Sequence, residues 1–345
     1  MKWTRLGAAL ALAAGSGGCF ISERETPSLL RSSDVNSTVC VPGELKACYS
    51  GPAGTAGVGT CTEGQTYCLP DGSGFRPCEG EVAPKEETCG DWLDEDCNGI
   101  PDDAPECLVN RGLVVRHLIN EADSGQYPGQ LEDAALDPVP LAIRYTPSLS
   151  FYVDEEGHRG LRWAQQGDPA RADAPASTTK IGDLLQGGTA LTVEIVARAA
   201  ESTTPTDALV LAIGNLTITH RPYQKDIRIF DCIGCLDLLS PAATGKLSLL
   251  SAQRVAIHIT VDLNRTGPEW LKVHQNGLPV TTAQFQPSSS TIMIPADGSY
   301  IIGNGHQNNG SFNGVIYYAA MYANALTEDE IQHNAQRLLL DDDSH

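Results

Sequence analysis

The chain has 345 residues, of which 43 are acidic and 23 basic, so its formal net charge is −20. This charge repels phosphate backbones and excludes nucleic acid as an expected partner, whereas it suits solubility or cation binding. Gly and Pro are frequent and aromatic residues make up only 6% of the chain, which is typical of a turn-rich, mainly β protein rather than a helical bundle.

The first 18 residues have the layout of a secretory signal, because Lys2 and Arg5 precede an apolar run that ends in small residues before Cys19. This run is too short to remain as a membrane-spanning helix. Small residues directly before a cysteine resemble a bacterial lipobox, which implies that residues 1–18 are removed and Cys19 is lipidated. Ser16 stands where Leu is usual, so an ordinary cleaved signal is the alternative. Phe20, in place of an inner-membrane-retaining Asp, favours the outer membrane or cell surface.

The cysteine count agrees with export. The chain has 11 cysteines, an odd number, whereas an exported protein rarely keeps a free thiol. If Cys19 carries the lipid, an even number of cysteines remains for disulfides. Cys232 and Cys235 have C-x-x-C spacing between strand-like runs. We interpret them as a small loop disulfide, with a redox or metal role as the alternative. The other candidates for disulfides are Cys40, Cys48, Cys61, Cys68, Cys78, Cys89, Cys97 and Cys107.

Two segments precede the strand-like part of the chain. Residues 19–39 are polar and carry Ser and Thr, as expected of a tether between a lipid and the first ordered module. Residues 40–107 contain 14 acidic and three basic residues and little aliphatic material, so they cannot build a core large enough to fold alone. Disulfides, a metal ion or both are needed to hold this module, and the sequence does not fix which cysteines pair.

Residues 87–103 of this module read ETCGDWLDEDCNGIPDD. Asp94, Asp96 and Asn98 occupy alternate positions, and Gly99 permits a sharp bend after them. Two further acids follow, so hard oxygen atoms lie on one side of a tight loop, as calcium requires. An EF-hand is not expected, because Pro105 stands where that loop has a bidentate Glu.

The pattern D-x-D-x-N-G-x-x-D with an internal cysteine resembles the calcium repeats of thrombospondin type 3 and the cysteine-rich metal-binding motif of myxobacterial surface lipoproteins. The resemblance covers residues 40–107 and implies an extracellular module with structural Ca²⁺. The alternative is a disulfide-bounded acidic turn that binds no ion tightly, since no bidentate Glu closes the set. The implied ligands are Asp94, Asp96, Asn98, the Ile100 carbonyl, Asp102 and Asp103.

From about residue 112 the sequence changes to strand-like runs bounded by Gly, Pro, Asn or Asp, and roughly ten to fourteen strands are expected. That number indicates a β-sandwich. One helix signal closes the chain, where Thr327 offers an N-cap with Glu330 three residues later. The fold class expected is mainly β, with a C-terminal β-sandwich over residues 110–340 preceded by the small disulfide-rich, loop-rich module.

The order of these runs is similar to that of the concanavalin A-like, laminin-G-like (LamG) jelly-roll family. The similarity rests on ALTVEIVARA with its internal Glu, the WLKVHQNG hairpin, the SYIIGNG turn and the closing FNGVIYYAAMYANALTEDEI. It covers residues 191–334 most fully. It implies a sandwich of the kind that serves lectins, adhesion modules and glycosidases, so the fold alone does not define the function.

The residues do not support catalysis. Glycosidases of the related laminarinase type carry E-x-D-x-x-E on one strand, which places nucleophile and acid on the same face. In this chain Glu194 stands alone in its strand, and Asp154, Glu155 and Glu156 are consecutive and alternate between faces. We therefore expect a protein that is not an enzyme.

A polar loop at the rim of the predicted sandwich, GNGHQNNGSFNG over residues 303–314, can pair with sugar hydroxyls. A glycine-rich edge loop that is polar only because it is exposed is the alternative. The expected function is binding of a glycan or a surface protein, with calcium stabilising the disulfide module; a structural envelope protein and a glycoside hydrolase are the alternatives. Candidate ligand-binding residues are Asn304, His306, Asn308 and Asn309.

Overall fold

The structure is a computed structural model that describes residues 39–164, 169–201, 207–221, 226–231, 236–239, 247, 249, 253–283, 286–287, 289–304 and 312–343. The predicted signal segment, lipidation of Cys19 and the pairing of Cys232 with Cys235 lie outside these residues. No helix in the described part of the chain is long and apolar enough to cross a bilayer.

The chain divides into two compact units, Met1–Leu45 with Tyr67–Arg76, and Lys46–Thr66 with Pro77–His345. Disulfides occur in both. In the first unit Cys40 pairs with Cys68, and the second unit contains the pairs Cys48–Cys78, Cys61–Cys97 and Cys89–Cys107. The prediction that these eight cysteines form disulfides is confirmed, and such pairing indicates an oxidising, extracytoplasmic compartment. The domain boundaries at 107 and 110 stay predictions.

Eighteen strands and two helices are described. Two short strands near the start, β1 and β2, pair with each other, and a short 3₁₀ turn at Gly267–Trp270 precedes β15. In chain order the elements are β1 (Leu45–Cys48), β2 (Gly64–Tyr67), β3 (Leu113–His117), β4 (Gln130–Leu131), β5 (Leu141–Arg144), β6 (Leu149–Val153), β7 (Arg159–Trp163), β8 (Arg171–Pro175), α1 (Lys180–Leu185), β9 (Ala190–Ala199), β10 (Ala208–Ile213), β11 (Leu216–Arg221), β12 (Asp226–Asp231), β13 (Leu236–Asp237), β14 (Val255–Asp262), β15 (Leu271–Gln275), β16 (Leu278–Thr282), β17 (Ser299–Ile302), β18 (Gly314–Tyr322) and α2 (Glu328–Leu340).

Two antiparallel sheets form the sandwich. Sheet A has the strand order β13-β12-β11-β10-β17-β8-β5-β4, and sheet B has the order β16-β15-β14-β9-β18-β7-β6, with β3 paired to β18. The long strands β9 and β18 lie side by side at the centre of sheet B. The expected fold class, mainly β with a sandwich after a disulfide-rich segment, is confirmed.

The main core lies between the sheets. Ile218 and Ile229 of sheet A, and Val193 and Ile257 of sheet B, are at most 1% exposed. Because successive side chains of a strand point to opposite faces, the residues that alternate with Val193 along β9 lie on the outer face of sheet B. This outer face therefore has its own contacts, separate from the core.

Helix α2 covers part of the outer face of sheet B. Its residues Ile331, Ala335 and Leu338 are buried in a second apolar cluster there. The helix begins at a capping box, in which the Thr327 hydroxyl accepts a hydrogen bond from Glu330 N and the Glu330 carboxylate accepts one from Thr327 N. The predicted start of this helix is confirmed.

Candidate functional site

Two disulfides hold the acidic loop of residues 87–103. The pair Cys61–Cys97 fixes the middle of the loop, and the pair Cys89–Cys107 joins its start to the segment that leads into the sandwich. The loop is therefore part of the same compact unit as the sandwich.

Three carboxylates of this loop converge. One oxygen atom each from Glu87, Asp94 and Asp96 lies within 4.8 Å of the other two. Calcium ligands lie about 2.3–2.6 Å from the ion, so oxygens up to about 5 Å apart can share one. In the part of the chain that the structure describes, no Lys or Arg pairs with these three groups; Lys85 pairs with Glu95 instead, at 3.2 Å. The donor set therefore fits a hard divalent cation.

Backbone N–H groups hold these carboxylates in place. Glu87 accepts hydrogen bonds from the N–H groups of Glu95 and Asp96, at 2.9 Å each, and from that of Asp102 at 2.7 Å. Asp94 accepts from the N–H groups of residues 98 and 99, at 3.1 and 2.9 Å. The loop is closed around its own carboxylates, so their positions are fixed by backbone geometry.

The Asn98 amide links two other predicted ligands. Its Nδ2 donates to Asp96 Oδ2 at 2.9 Å and to Asp103 Oδ1 at 3.0 Å, and its Oδ1 accepts from Ile100 N at 2.9 Å. The side chain of Ile100 is 58% exposed. The structure thus brings Asn98, Asp96 and Asp103 together, while the Asn98 oxygen already has a backbone donor.

Asp102 is not one of the three converging carboxylates and has hydrogen-bond partners of its own. It is 2% exposed and accepts hydrogen bonds from Gly90 N, Trp92 N and Asn110 Nδ2, at 2.8, 3.2 and 2.9 Å. Burial raises the pKa of this carboxyl above its ordinary value, although the hydrogen bonds from Gly90 and Trp92 oppose the shift. Asp102 and Trp92 both have left-handed backbone, with φ of 54° and 62°, and these bonds offset the cost of that conformation.

A groove lies between residues 92–111 and the first turns of α2. Its volume is about 840 Å³, within the range usual for small-molecule sites. Most of its lining is apolar, including Trp92, Ile100 and Val109, and charged residues, including Arg111 and Asp329, also line it. It is a partly open site with one aromatic side chain and several charges.

Polar contacts fix the walls of this groove. Arg111 makes a bidentate pair with Glu330 of α2, with Nε to Oε1 at 2.9 Å and Nη2 to Oε2 at 2.7 Å. His333 Nε2 lies 2.7 Å from the Cys107 carbonyl oxygen. Trp92 Nε1 donates to the Ala134 carbonyl oxygen at 3.1 Å. Both walls are therefore pre-formed rather than loose.

A buried polar network lies behind the groove. Asn110, which holds Asp102, accepts a hydrogen bond from Arg116 Nη1 at 2.8 Å, and Arg116 Nε donates to Tyr318 Oη at 3.2 Å. Tyr318 in turn donates to Glu194 Oε2 at 3.1 Å. Hydrogen bonds thus run without interruption from the acidic loop to the middle of sheet B.

Glu194 ends this network and is completely buried. It accepts hydrogen bonds from Tyr322 Oη at 2.8 Å and Asn334 Nδ2 at 2.7 Å, and His258 Nε2 lies 3.1 Å away. Burial opposes ionisation, yet the contacts from His258, Asn334 and Tyr322 lower the pKa of Glu194 below its ordinary value. This acid has a structural environment and no contact with solvent.

The remaining predicted ligand-binding residues are not assembled by the described structure. Asn304 is completely buried, so it presents no surface to a ligand. His306, Asn308 and Asn309 lie outside the described residues. The sequence did not indicate Glu87, which precedes the calcium-type pattern, or Trp92 and Arg111, whose partners are Ala134 and Glu330.

No family model matches the chain, and no curated protein matches it. Among solved structures it is similar to domain 4 of AbnA, a GH43 extracellular arabinanase from Geobacillus stearothermophilus in complex with arabinotriose, with 18% identity, 65% of this chain and 98% of that chain covered, and a TM-score of 0.46. It is also similar to Trypanosoma rangeli sialidase, with 15% identity, 66% and 33% coverage and a TM-score of 0.43.

A third similar structure is the binding domain of Paraclostridial Mosquitocidal Protein 1, with 13% identity, 65% of this chain and 52% of that chain covered, and a TM-score of 0.44. The chain therefore spans a third of the sialidase and about half of this binding domain.

Proposed function

We propose that this chain is a non-catalytic binding protein of the cell surface, whose groove between residues 92–111 and α2 takes a glycan. The observation that carries the proposal is the groove itself, about 840 Å³, whose mostly apolar lining includes Trp92 and also several charged residues. Sugar rings present apolar C–H faces and hydroxyl edges, which match an aromatic surface bordered by charged groups.

The absence of catalysis is part of the proposal. The one carboxylate of the long β9 strand, Glu194, is buried and saturated with hydrogen bonds. Among the residues that line the groove, Glu330 has its carboxylate paired with Arg111. Neither group offers the free acid and base pair that glycoside hydrolysis requires.

A glycan array and a reducing-sugar assay on the full chain test this proposal. We expect binding of at least one glycan class, loss of that binding in Trp92→Ala, and no release of reducing sugar. Leu93→Ala is the matched control, because Leu93 neighbours Trp92 and is 49% exposed but does not line the groove. Sugar release that disappears when one acidic residue of the groove is changed would favour the hydrolase. No binding and no release would favour a structural envelope protein.

We further propose that Ca²⁺ is held by Glu87, Asp94 and Asp96 and stabilises the acidic loop. These carboxylates converge within 4.8 Å and carry like charge, so a cation would relieve their repulsion. Calorimetric titration of the oxidised full chain with Ca²⁺ should give a binding heat that Asp94→Ala with Asp96→Ala abolishes. Asp91→Ala, in the same loop but outside the converging set, should retain it. Equal heats from all three proteins would remove the calcium site.

Lipid anchoring at Cys19, placement at the outer membrane and kinship with laminin-G-like domains and myxobacterial surface lipoproteins complete the proposal. Their support is the lipobox-like sequence and the order of strand motifs described above. Labelling with a radioactive fatty acid should mark the wild-type chain and not Cys19→Ala. Label retained by that variant would contradict the anchor.

A further inference from the structure

The groove between residues 92–111 and α2 has acidic walls on both sides. Residues 92–111 contain six acidic residues and one basic residue, and the first turn of α2 carries Glu328, Asp329 and Glu330. Four acidic residues and one arginine line the groove itself. A cleft that is lined by one sign of charge focuses the electrostatic field and concentrates counter-ions. The groove is therefore expected to attract cations.

The arginine of the groove lining does not offset this charge. Arg111 is held in its bidentate pair with Glu330, so an anionic ligand would have to compete with that carboxylate for the guanidinium. The N-terminus of α2 would also attract anions, but the three carboxylates of its first turn already complement its partial positive charge. The charges that remain favour a cation over an anion.

Two exposed carboxylates remain, one from each wall of the groove. Asp103 and Asp329 both line it and are exposed. In the part of the chain that the structure describes, no lysine or arginine pairs with either of them. Asp103 Oδ1 accepts a hydrogen bond from Asn98 Nδ2 at 3.0 Å, which holds this carboxylate without neutralising it. Neither residue belongs to the three converging carboxylates of the acidic loop, so the proposed calcium site does not use them.

Trp92 supplies an aromatic surface in the same lining. Its Nε1 donates to the Ala134 carbonyl oxygen at 3.1 Å, and its backbone N–H donates to Asp102 Oδ2 at 3.2 Å, so both the ring and its backbone are held. Cations are attracted to the face of a tryptophan ring, and apolar C–H groups pack against it. A ligand that carries a positive charge on an apolar ring face matches both properties.

We propose that the groove selects a cationic glycan, a short oligosaccharide of amino sugars with free ammonium groups. This inference rests on the proposed glycan site and adds the charge of its ligand. A neutral sugar would leave Asp103 and Asp329 without a counter-charge, and a uronate would be repelled by both. An ammonium group instead donates charge-assisted hydrogen bonds to carboxylates, which are about twice as strong as those of neutral donors.

Calorimetry on the oxidised full chain with a glucosamine trisaccharide tests the proposal, and the N-acetylglucosamine trisaccharide is the comparison ligand. The two share their sugar rings, but acetylation removes the charge of the amine. Below the pKa of the sugar amine, we expect the amino form to bind about tenfold or more tightly, because at least one hydrogen bond between charged groups is gained. Added salt should reduce this preference, since it screens exposed charges.

The double variant Asp103→Asn with Asp329→Asn isolates the charge of the groove. Its affinity for the glucosamine trisaccharide should fall about tenfold or more, whereas its affinity for the N-acetyl form should change little. Asp91→Asn is the matched control, because Asp91 is exposed and lies in the same acidic loop but does not line the groove. Asp103 and Asp329 are exposed, so the double variant is expected to fold.

The outcomes separate the charge preference from the glycan site. Equal affinities for the two trisaccharides, both lost in Trp92→Ala, would retain the glycan site and overturn the cationic preference. An unchanged affinity of the double variant for the amino sugar would also overturn it. Binding of neither trisaccharide would overturn the preference, and the glycan array would then test the glycan site by itself. Trilysine that binds more tightly than the amino sugar, and is lost in the double variant, would overturn the proposal in favour of a basic peptide.

Discussion

At the scale of single residues, Gly59 supports the acidic loop by direct contact. A Cβ atom at this position would lie 2.2 Å from the Asp94 carbonyl oxygen and 2.6 Å from its carboxylate carbon, and the backbone is left-handed with φ of 52°. Gly59→Ala should therefore lower the free energy of unfolding by clearly more than the roughly 1 kcal/mol of left-handed backbone strain. Urea denaturation of the oxidised protein measures the difference.

Gly57→Ala is the control for that measurement. Gly57 also has positive φ, at 79°, but a Cβ atom there meets nothing within 4 Å, so only the backbone strain remains. Equal losses of stability in the two variants would show that Asp94 moves aside at no cost, and that the contact does not define the loop.

The converging carboxylates were only partly predictable from the sequence. Asp94 and Asp96 were predicted because their spacing is a local pattern, and the structure brings both to the converging set with Glu87. Glu87 lies outside the pattern and joins only because the chain folds back on itself. Glu194 has no second carboxylate in its strand, and the sequence could not indicate its hydrogen-bond partners, because Tyr322 and Asn334 are 128 and 140 residues away.

At the scale of elements, the predicted strands are clearest where their residues alternate or follow a known turn. ALTVEIVARA corresponds to β9, and the Asn276–Gly277 turn has φ of 53° and 79°, as a tight hairpin requires. The run ALVLAIGNLTITH forms two strands, β10 and β11, because Gly214 between them adopts positive φ and the chain reverses there. The run RADAP, in a Pro- and Ala-rich stretch, forms β8, and β5 and β17 pair with it on either side.

Helix α2 offers a test at this scale. Thr327→Ala removes the oxygen that accepts from Glu330 N, and it should cost about 1 kcal/mol of unfolding free energy. Thr327→Ser keeps an oxygen at the same place and should retain most of that stability. Thermal unfolding of both variants measures the effect. If Thr327→Ser loses as much stability as Thr327→Ala, the threonine methyl group, and not the capping hydrogen bond, accounts for the stabilisation.

At the scale of the whole molecule, the fold class followed from composition and periodicity, because each strand carries its own alternation. The groove could not be predicted in this way, because it forms where residues 92–111 contact α2, which lies more than two hundred positions later in the chain. Arg111 and Glu330, which pair across it, are 219 residues apart. The sequence also could not predict which cysteines pair. An exported protein is expected to form disulfides, but the pairing of Cys61 with Cys97 depends on which residues the fold brings together.

The pH dependence of the unfolding free energy is a property of the whole chain. The contribution of His274 to it can be measured separately. This side chain is 1% exposed, and burial, reinforced by the charge of His258 and Lys272 and opposed by Glu328, lowers its pKa from 6.5 to about 4. The unfolded state therefore binds more protons than the folded state between these values. Stability from His274 is present above pH 6.5 and is lost as the pH falls towards 4.

His274→Phe isolates this contribution, because the ring keeps a similar size, does not titrate and gives up no hydrogen bond: neither ring nitrogen has a partner within the described residues. We expect the wild type to lose about 2 kcal/mol more than the variant between pH 8 and pH 5. Urea denaturation at both values measures it, and the difference at pH 8, where the imidazole is neutral in both states, reports packing alone. Wild-type and variant stabilities that fall in parallel would show that the folded protein accommodates the charged ring, with either water or Glu328 reaching it.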